Sequence, residues 1–153
     1  MVHRARVYAA RLLRYRVRST YELRQRLTRH GYPAAAVEMV VQELTTQGAV
    51  DDRQFARLWV AARVRAHRGS WLIARELTQQ FGIAPALVAD VLQPLASGPA
   101  ELMRARAFVE RRAPRYARTP RETQWRRLSQ QLARRGFSAD IIDETLHACL
   151  KHR

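Results

Sequence analysis

Apolar residues recur along this chain at helical rather than strand spacing, and they recur in three registers. Leu23 and Leu27, Ile73 and Leu77, and Leu128 and Leu132 are i, i+4 pairs, each of which puts two side chains on one helix face. A glycine follows each pair: Gly31, Gly82 and Gly136, spaced 51 and 54 residues apart, each with a hydrophobic residue next, Tyr32, Ile83 and Phe137. Beyond the glycines come the trios Val37, Val41 and Leu44, then Val88, Leu92 and Leu95, then Ile142, Leu146 and Cys149, at intervals of four and three. No stretch alternates with period two for long enough to make a sheet. The pattern predicts an all-α protein of three tandem three-helix repeats, over residues 1–49, 50–97 and 98–153. Each repeat is too small to bury a large core alone, so the repeats are expected to stack into an elongated helical array that can curve.

Start and stop signals fit this division. In the first repeat Tyr8, Leu12 and Tyr15 predict an inward stripe on a helix ending near Val17. Ser19 and Glu22 make a capping box for the second helix, Gly31 ends it, Pro33 sits at the first turn of a third, and Gly48 closes that one. In the middle repeat Asp51 and Asp52 suit a helix N-terminus, where carboxylates meet free N–H groups and the positive end of the dipole. Phe55, Leu58, Trp59 and Ala62 would form its apolar face, Gly69 would stop it, and Ser70 would cap a helix bearing Ile73 and Leu77 and ending at Gly82. Pro85 opens the next helix. Pro94, Ser97, Gly98 and Pro99 form a linker, and the third repeat starts with a helix over 101–112 that Pro114 should break. Thr119 to Glu122 reads as another capping box, leading a helix with Trp125, Leu128 and Leu132 inward. Ser138 would cap the last helix, with Ile141, Ile142 and Leu146 on its apolar side.

Charge adds what the pattern does not. The chain has 28 basic and 13 acidic residues, a net +15 and a pI near 11.6, and Lys151 is the only lysine. Codon bias can explain arginine in place of lysine, but it does not explain the surplus over acids. Arginine favours planar, bidentate partners, so the excess points to nucleic acid or an acidic protein surface. The contact set read from the sequence is Arg14, Arg16, Arg18 and Arg24 in the first repeat and Arg57, Arg63, Arg65, Arg68 and Arg75 in the second. It continues with Arg111, Arg112, Arg115, Arg118, Arg126 and Arg127 in the third. Any one of them reads as an ordinary solvated side chain; together they predict a basic stripe. The first 21 residues lack an acid, as a transit peptide does, yet they fit better as the opening helix of a repeat. A lone cysteine and the absence of a long apolar run point to a cytoplasmic protein without a disulfide or a membrane span.

Catalytic signatures are missing. The chain has no GxxxxGK[ST], GxGxxG, HExxH or GxSxG. Capping explains the adjacent Asp51 and Asp52 better than a paired-carboxylate site. His3, His30, His67, His147 and His152 are scattered, and Cys149 falls on an apolar repeat position, so no metal, cofactor or small-molecule substrate is expected. Trp59 and Trp125 fall on inward stripes, whereas Trp71 lies off the Ile73 and Leu77 face and is the aromatic suited to an exposed contact.

The stretch from Val50 to Ile83 resembles the central motif of the RecX family of RecA regulators. The resemblance is carried by Asp51, Asp52, Phe55, Arg63, Gly69, Ile73, Glu76, Leu77, Gly82 and Ile83. It extends more weakly to Ser19, Glu22, Leu23 and Leu27 and to the Gly136-Phe137 ending. It implies a monomeric, non-enzymatic modulator of recombination and the SOS response that binds RecA–DNA filaments along their groove. Such a modulator would restrain ATP hydrolysis, strand exchange and coprotease activity, with single- and double-stranded DNA as further partners. The rival reading is a DNA-binding regulator of helix-turn-helix type, because Leu23 to Leu44 spans two helices joined at a glycine. Against it, the second of those helices starts with Ala34, Ala35 and Ala36 rather than base-reading side chains.

Overall fold

The computed structural model describes residues 1–150, and among these there are nine α-helices and no strand. They are α1 (Val2–Tyr15), α2 (Thr20–Arg29), α3 (Ala34–Thr46), α4 (Asp52–Arg65), α5 (Ser70–Arg75), α6 (Pro85–Leu92), α7 (Gly98–Arg112), α8 (Arg121–Arg134) and α9 (Ala139–Leu150). A π-helical turn, Glu76–Gln80, prolongs α5, and a 3₁₀ turn, Ala113–Tyr116, follows α7. That second turn sits where Pro114, lacking an N–H, cannot continue the α-helical ladder. No helix among the described residues is long and apolar enough to cross a membrane.

Packing groups the chain into two compact units, one of Met1–Leu58 with Leu77–Val88, the other of Trp59–Glu76 with the chain from Ala89 onward. The segment 50–97 therefore contributes to both. In the first unit α1, α2 and α3 pack against one another around Ala5, Ala9, Leu23, Leu27, Val37, Val40, Val41, Leu44 and Val50. Phe55 and Phe81 meet at 4.8 Å in the same unit. In the second unit α7, α8 and α9 enclose Ala105, Phe108, Val109, Leu128, Leu132, Phe137, Ile142, Leu146 and Leu150. All three i, i+4 pairs are buried, and of the trios only Leu95 and Cys149 are partly exposed. Removing one of these leucine side chains would cost about 2–5 kcal/mol.

Helix boundaries show where local signals held. The Ser19 hydroxyl accepts from the Glu22 amide while the Glu22 carboxylate accepts from the Ser19 amide, a complete capping box. Asp51 Oδ1 accepts from the amides of Arg53 and Gln54 at 2.9 and 3.2 Å, as expected of an N-cap. Asp52 does something the sequence did not signal: its carboxylate accepts from Thr20 N at 2.8 Å and Thr20 Oγ1 at 2.9 Å, at the start of α2.

Several local expectations are corrected. α1 ends at Tyr15 instead of near Val17, and Tyr15 is 75% exposed; the buried face is the small-residue one of Ala5 and Ala9, which lets the helix approach α3 closely. In α4 the buried positions are Phe55, Ala56 and Val60, while Leu58 and Ala62 face solvent. α4 is terminated by His67, at φ 55, with Arg68 N donating to Arg63 O and His67 N to Val64 O. Gly69 instead is the N-cap of α5 at an ordinary φ of −80, and Ser70 is already helical. Pro33 is likewise the N-cap of α3 rather than its first residue. Thr119 does not cap α8: its hydroxyl donates to Tyr116 O at 2.8 Å, closing the 3₁₀ turn, and Pro120 takes the N-cap place.

Candidate nucleic-acid interface

The second unit brings a group of its cations to the end of α4. Two glycines make this possible. A Cβ on Gly69 would fall on the carbonyl of Gly136 and 2.6 Å from Phe137 N, and one on Gly136 would lie 2.6 Å from Leu72 N. With no side chain at either position the backbones touch, and Gly69 N donates to Arg135 O at 2.8 Å. The end of α4 and the end of α8 are thereby held side by side. Arg135 Nη1 donates to Ala66 O at 2.6 Å, one of the carbonyls left open at a helix C-terminus.

Phe108 of α7 provides the floor. The Arg135 guanidinium lies 4.2 Å from its ring centre and that of Arg112 lies 5.7 Å away. Such stacking holds the cation partly desolvated without consuming its outward donors. Burial, and next the charges of Arg111 and Arg135, hold the His67 imidazole below its ordinary pKa. Burial, with Arg68 and Arg112, lowers Arg135 in the same way. Among the described residues none of Arg68, Arg111, Arg112 and Arg135 is ion-paired to a carboxylate, and His67 Nε2 and Arg68 Nε are buried without a hydrogen-bond partner in the protein. An arrangement of this kind attracts an anion.

A second network supports it. Glu101 accepts from Ser70 N at 2.9 Å, from Ser70 Oγ, and from Arg104 Nη2 at 2.7 Å. Arg104 also donates to Ser70 Oγ, Leu95 O and Arg68 O. This buried pair fixes the start of α5 and leaves the Arg68 carbonyl satisfied. The pair is structural, and its i, i+3 spacing was the one signal in the sequence that could have flagged it.

The expected contact arginines now separate. Arg68, Arg111 and Arg112 are brought together, joined by Arg135 and His67, which lay outside the contact set. Arg14, Arg57, Arg65, Arg115, Arg118 and Arg126 are exposed. Arg127 and Arg75 are also exposed, the former over Tyr116 and the latter over Trp71, which is itself 63% exposed. Others face intramolecular acids: Arg16 pairs with Glu22, and Arg24 with Glu38. Arg63 Nε and Trp59 Nε1 both donate to Glu76 Oε2 at 2.7 Å, with the guanidinium 4.6 Å from the indole centre. Arg18 departs from the expected solvated stripe. Only 7% exposed, its Nε donates to Leu12 O at 3.4 Å, and burial followed by the Arg16 charge lowers its pKa.

The remaining residues of interest do not converge. His30 stacks on Tyr8 at 4.1 Å, His147 meets Trp125 edge-on at 4.7 Å, and His152 and Lys151 lie outside the described residues. No group of His, Cys, Asp and Glu among the described residues has metal-binding geometry. Burial raises the Cys149 thiol above its ordinary pKa.

Known proteins share this sequence pattern and this fold. Models described as the first, second and third three-helix domains of RecX match residues 5–44, 51–92 and 100–146. A protein named Regulatory protein RecX from Halorhodospira halophila is 37% identical over 134 residues, 88% of this chain and 81% of that one. Its namesake in Mycobacterium avium is 35% identical over 147 residues, 94% and 83% of the two chains. The crystal structure of RecX from Lactobacillus salivarius has the same fold, with a TM-score of 0.84 at 20% identity over 96% of this chain and 95% of that one.

Proposed function

The chain belongs to the RecX family, and on that premise we propose that it is a non-enzymatic, cytoplasmic regulator of homologous recombination and the SOS response. It binds RecA–DNA filaments as a monomer, touching single- or double-stranded DNA, and lowers RecA ATPase, strand exchange and coprotease activity. The observation that carries the reading is the arginine group of the second unit, which has no carboxylate to neutralise it among the described residues. A strand's phosphates supply the missing charge. Arg65, Arg115, Arg118 and Arg126 of the same unit are exposed and add to its basic character, Arg57 is exposed in the first unit, and Trp71 offers an apolar surface for a base or for RecA.

RecA ATPase on single-stranded DNA, titrated with this protein, tests the proposal. ATPase is expected to fall at ratios of protein to RecA well below one, where competition for DNA cannot account for the loss. Inhibition only when the protein suffices to coat the DNA, or protection of one duplex sequence, would refute it. The latter result would restore the helix-turn-helix reading.

A further inference from the structure

We infer that His67, Arg68, Arg111, Arg112 and Arg135 form a preorganised cradle for one phosphate group of a nucleic-acid backbone, with His67 Nε2 and Arg68 Nε as its innermost donors. The inference deepens the filament reading by naming the chemical group held and the side chains that hold it.

Three observations lead here. Both innermost nitrogens are buried and have no partner among the described residues, although an unmatched buried polar atom is costly and rare. The surrounding guanidiniums come from different elements, Arg111 and Arg112 from α7 and Arg135 from the end of α8, and the stacking of two of them on Phe108 fixes their positions in advance. Donors converging from several directions suit a tetrahedral phosphate with its several acceptor oxygens. A planar carboxylate would be satisfied by a single forked arginine.

The third observation concerns backbone. Among the described residues the left-handed positions are Gly31, Gly48, Gly82, Gly136 and His67. Four of the five are therefore glycine, the residue that adopts this conformation without strain. A histidine accepts that strain at the fifth position, and its ring is the group carrying an unpartnered buried nitrogen. Strain kept where a cheaper residue exists is a mark of function.

Imidazole NMR provides the test, with the His67 resonances assigned by their loss in His67→Gly. The full chain is titrated separately with inorganic phosphate, a ten-nucleotide oligothymidylate and polyglutamate. Phosphate and oligonucleotide should move the His67 ring and raise its titration midpoint, because the bound anion offsets the charges of Arg111 and Arg135 that act on it. Arg111→Gln should weaken oligonucleotide binding and reduce the log–log salt slope by roughly 0.7, the loss of one contact on a single strand. His67→Gly should keep or raise the melting temperature while weakening oligonucleotide binding, a combination that a purely structural histidine would not give. A His67 ring unmoved by millimolar phosphate would overturn the cradle, as would polyglutamate acting where phosphate does not, or His67→Gly binding the oligonucleotide with full affinity. RecA ATPase measured beside these titrations keeps the readings apart: phosphate moving His67 supports the cradle even if the wild-type protein leaves the ATPase untouched, a result that removes the filament reading alone.

Discussion

Gly69→Ala separates two roles that one glycine could have. If Gly69 merely ended a helix, alanine would be harmless, because φ −80 and ψ 155 are open to any residue. The structure gives it a different task. A methyl group there would sit on the Gly136 carbonyl and 2.6 Å from Phe137 N, where ordinary contact begins near 3.4 Å. Backbone cannot swing aside as a flexible side chain can, so the ends of α4 and α8 must part by the better part of an ångström. Overpacking of that kind costs about 1–3 kcal/mol. Separation also stretches the 2.8 Å bond from Gly69 N to Arg135 O, worth about 1 kcal/mol. The expected loss is about 2–4 kcal/mol in the second unit, read as a shift of the urea midpoint by circular dichroism. Gly98→Ala is the control. Its surroundings are open and it lies in the first turn of α7, so alanine there should be neutral or stabilising by about 0.4–1 kcal/mol. A Gly69→Ala protein within about 0.5 kcal/mol of wild type, the range of an ordinary surface change, would refute the close backbone contact.

Two further outcomes follow from the caps and the buried imidazole. Asp52→Ala removes the acceptor for Thr20 N and Thr20 Oγ1 and should destabilise the first unit by about 0.5–2 kcal/mol, measured by thermal melting, with oligonucleotide affinity unchanged. His67 has a folded-state pKa below its unfolded value, so protonation favours the unfolded chain. Its contribution is complete above the unfolded imidazole value of about 6.5, begins to fall there and is lost as pH drops on through the lowered folded value. The wild type should therefore lose more stability between neutral pH and pH 5 than His67→Gln does, and parallel pH curves would contradict the assignment.

Much of the fold was legible because helix formation and core facing are local matters. The leucine pairs, the glycines after them and the trios beyond are set by a period of 3.6 and by the few residues that tolerate a left-handed turn, and they fell where expected. Capping at Ser19 and Asp51 is equally local, since donor and acceptor lie within one turn. The site was legible only as a surplus of arginine. Which guanidiniums would meet was not written in their spacing: Arg68 and Arg135 are far apart in sequence and come side by side because Gly69 and Gly136 let two backbones touch, while Arg112 of α7 joins Arg135 on the Phe108 ring. Asp52 reaching Thr20, Glu101 holding Ser70, and Arg18 turning inward are long-range or packing outcomes of the same kind. Sequence alone determined the helices, the inward leucine pairs and the sign of the charge, because those depend on neighbours within a turn or on a sum over the chain; the inward faces of α1 and α4 waited on packing. Tertiary structure alone decided which cations lost their acids, which lay against an aromatic ring and which histidine came to stand among them, because these depend on distances between segments that the chain brings together only by folding.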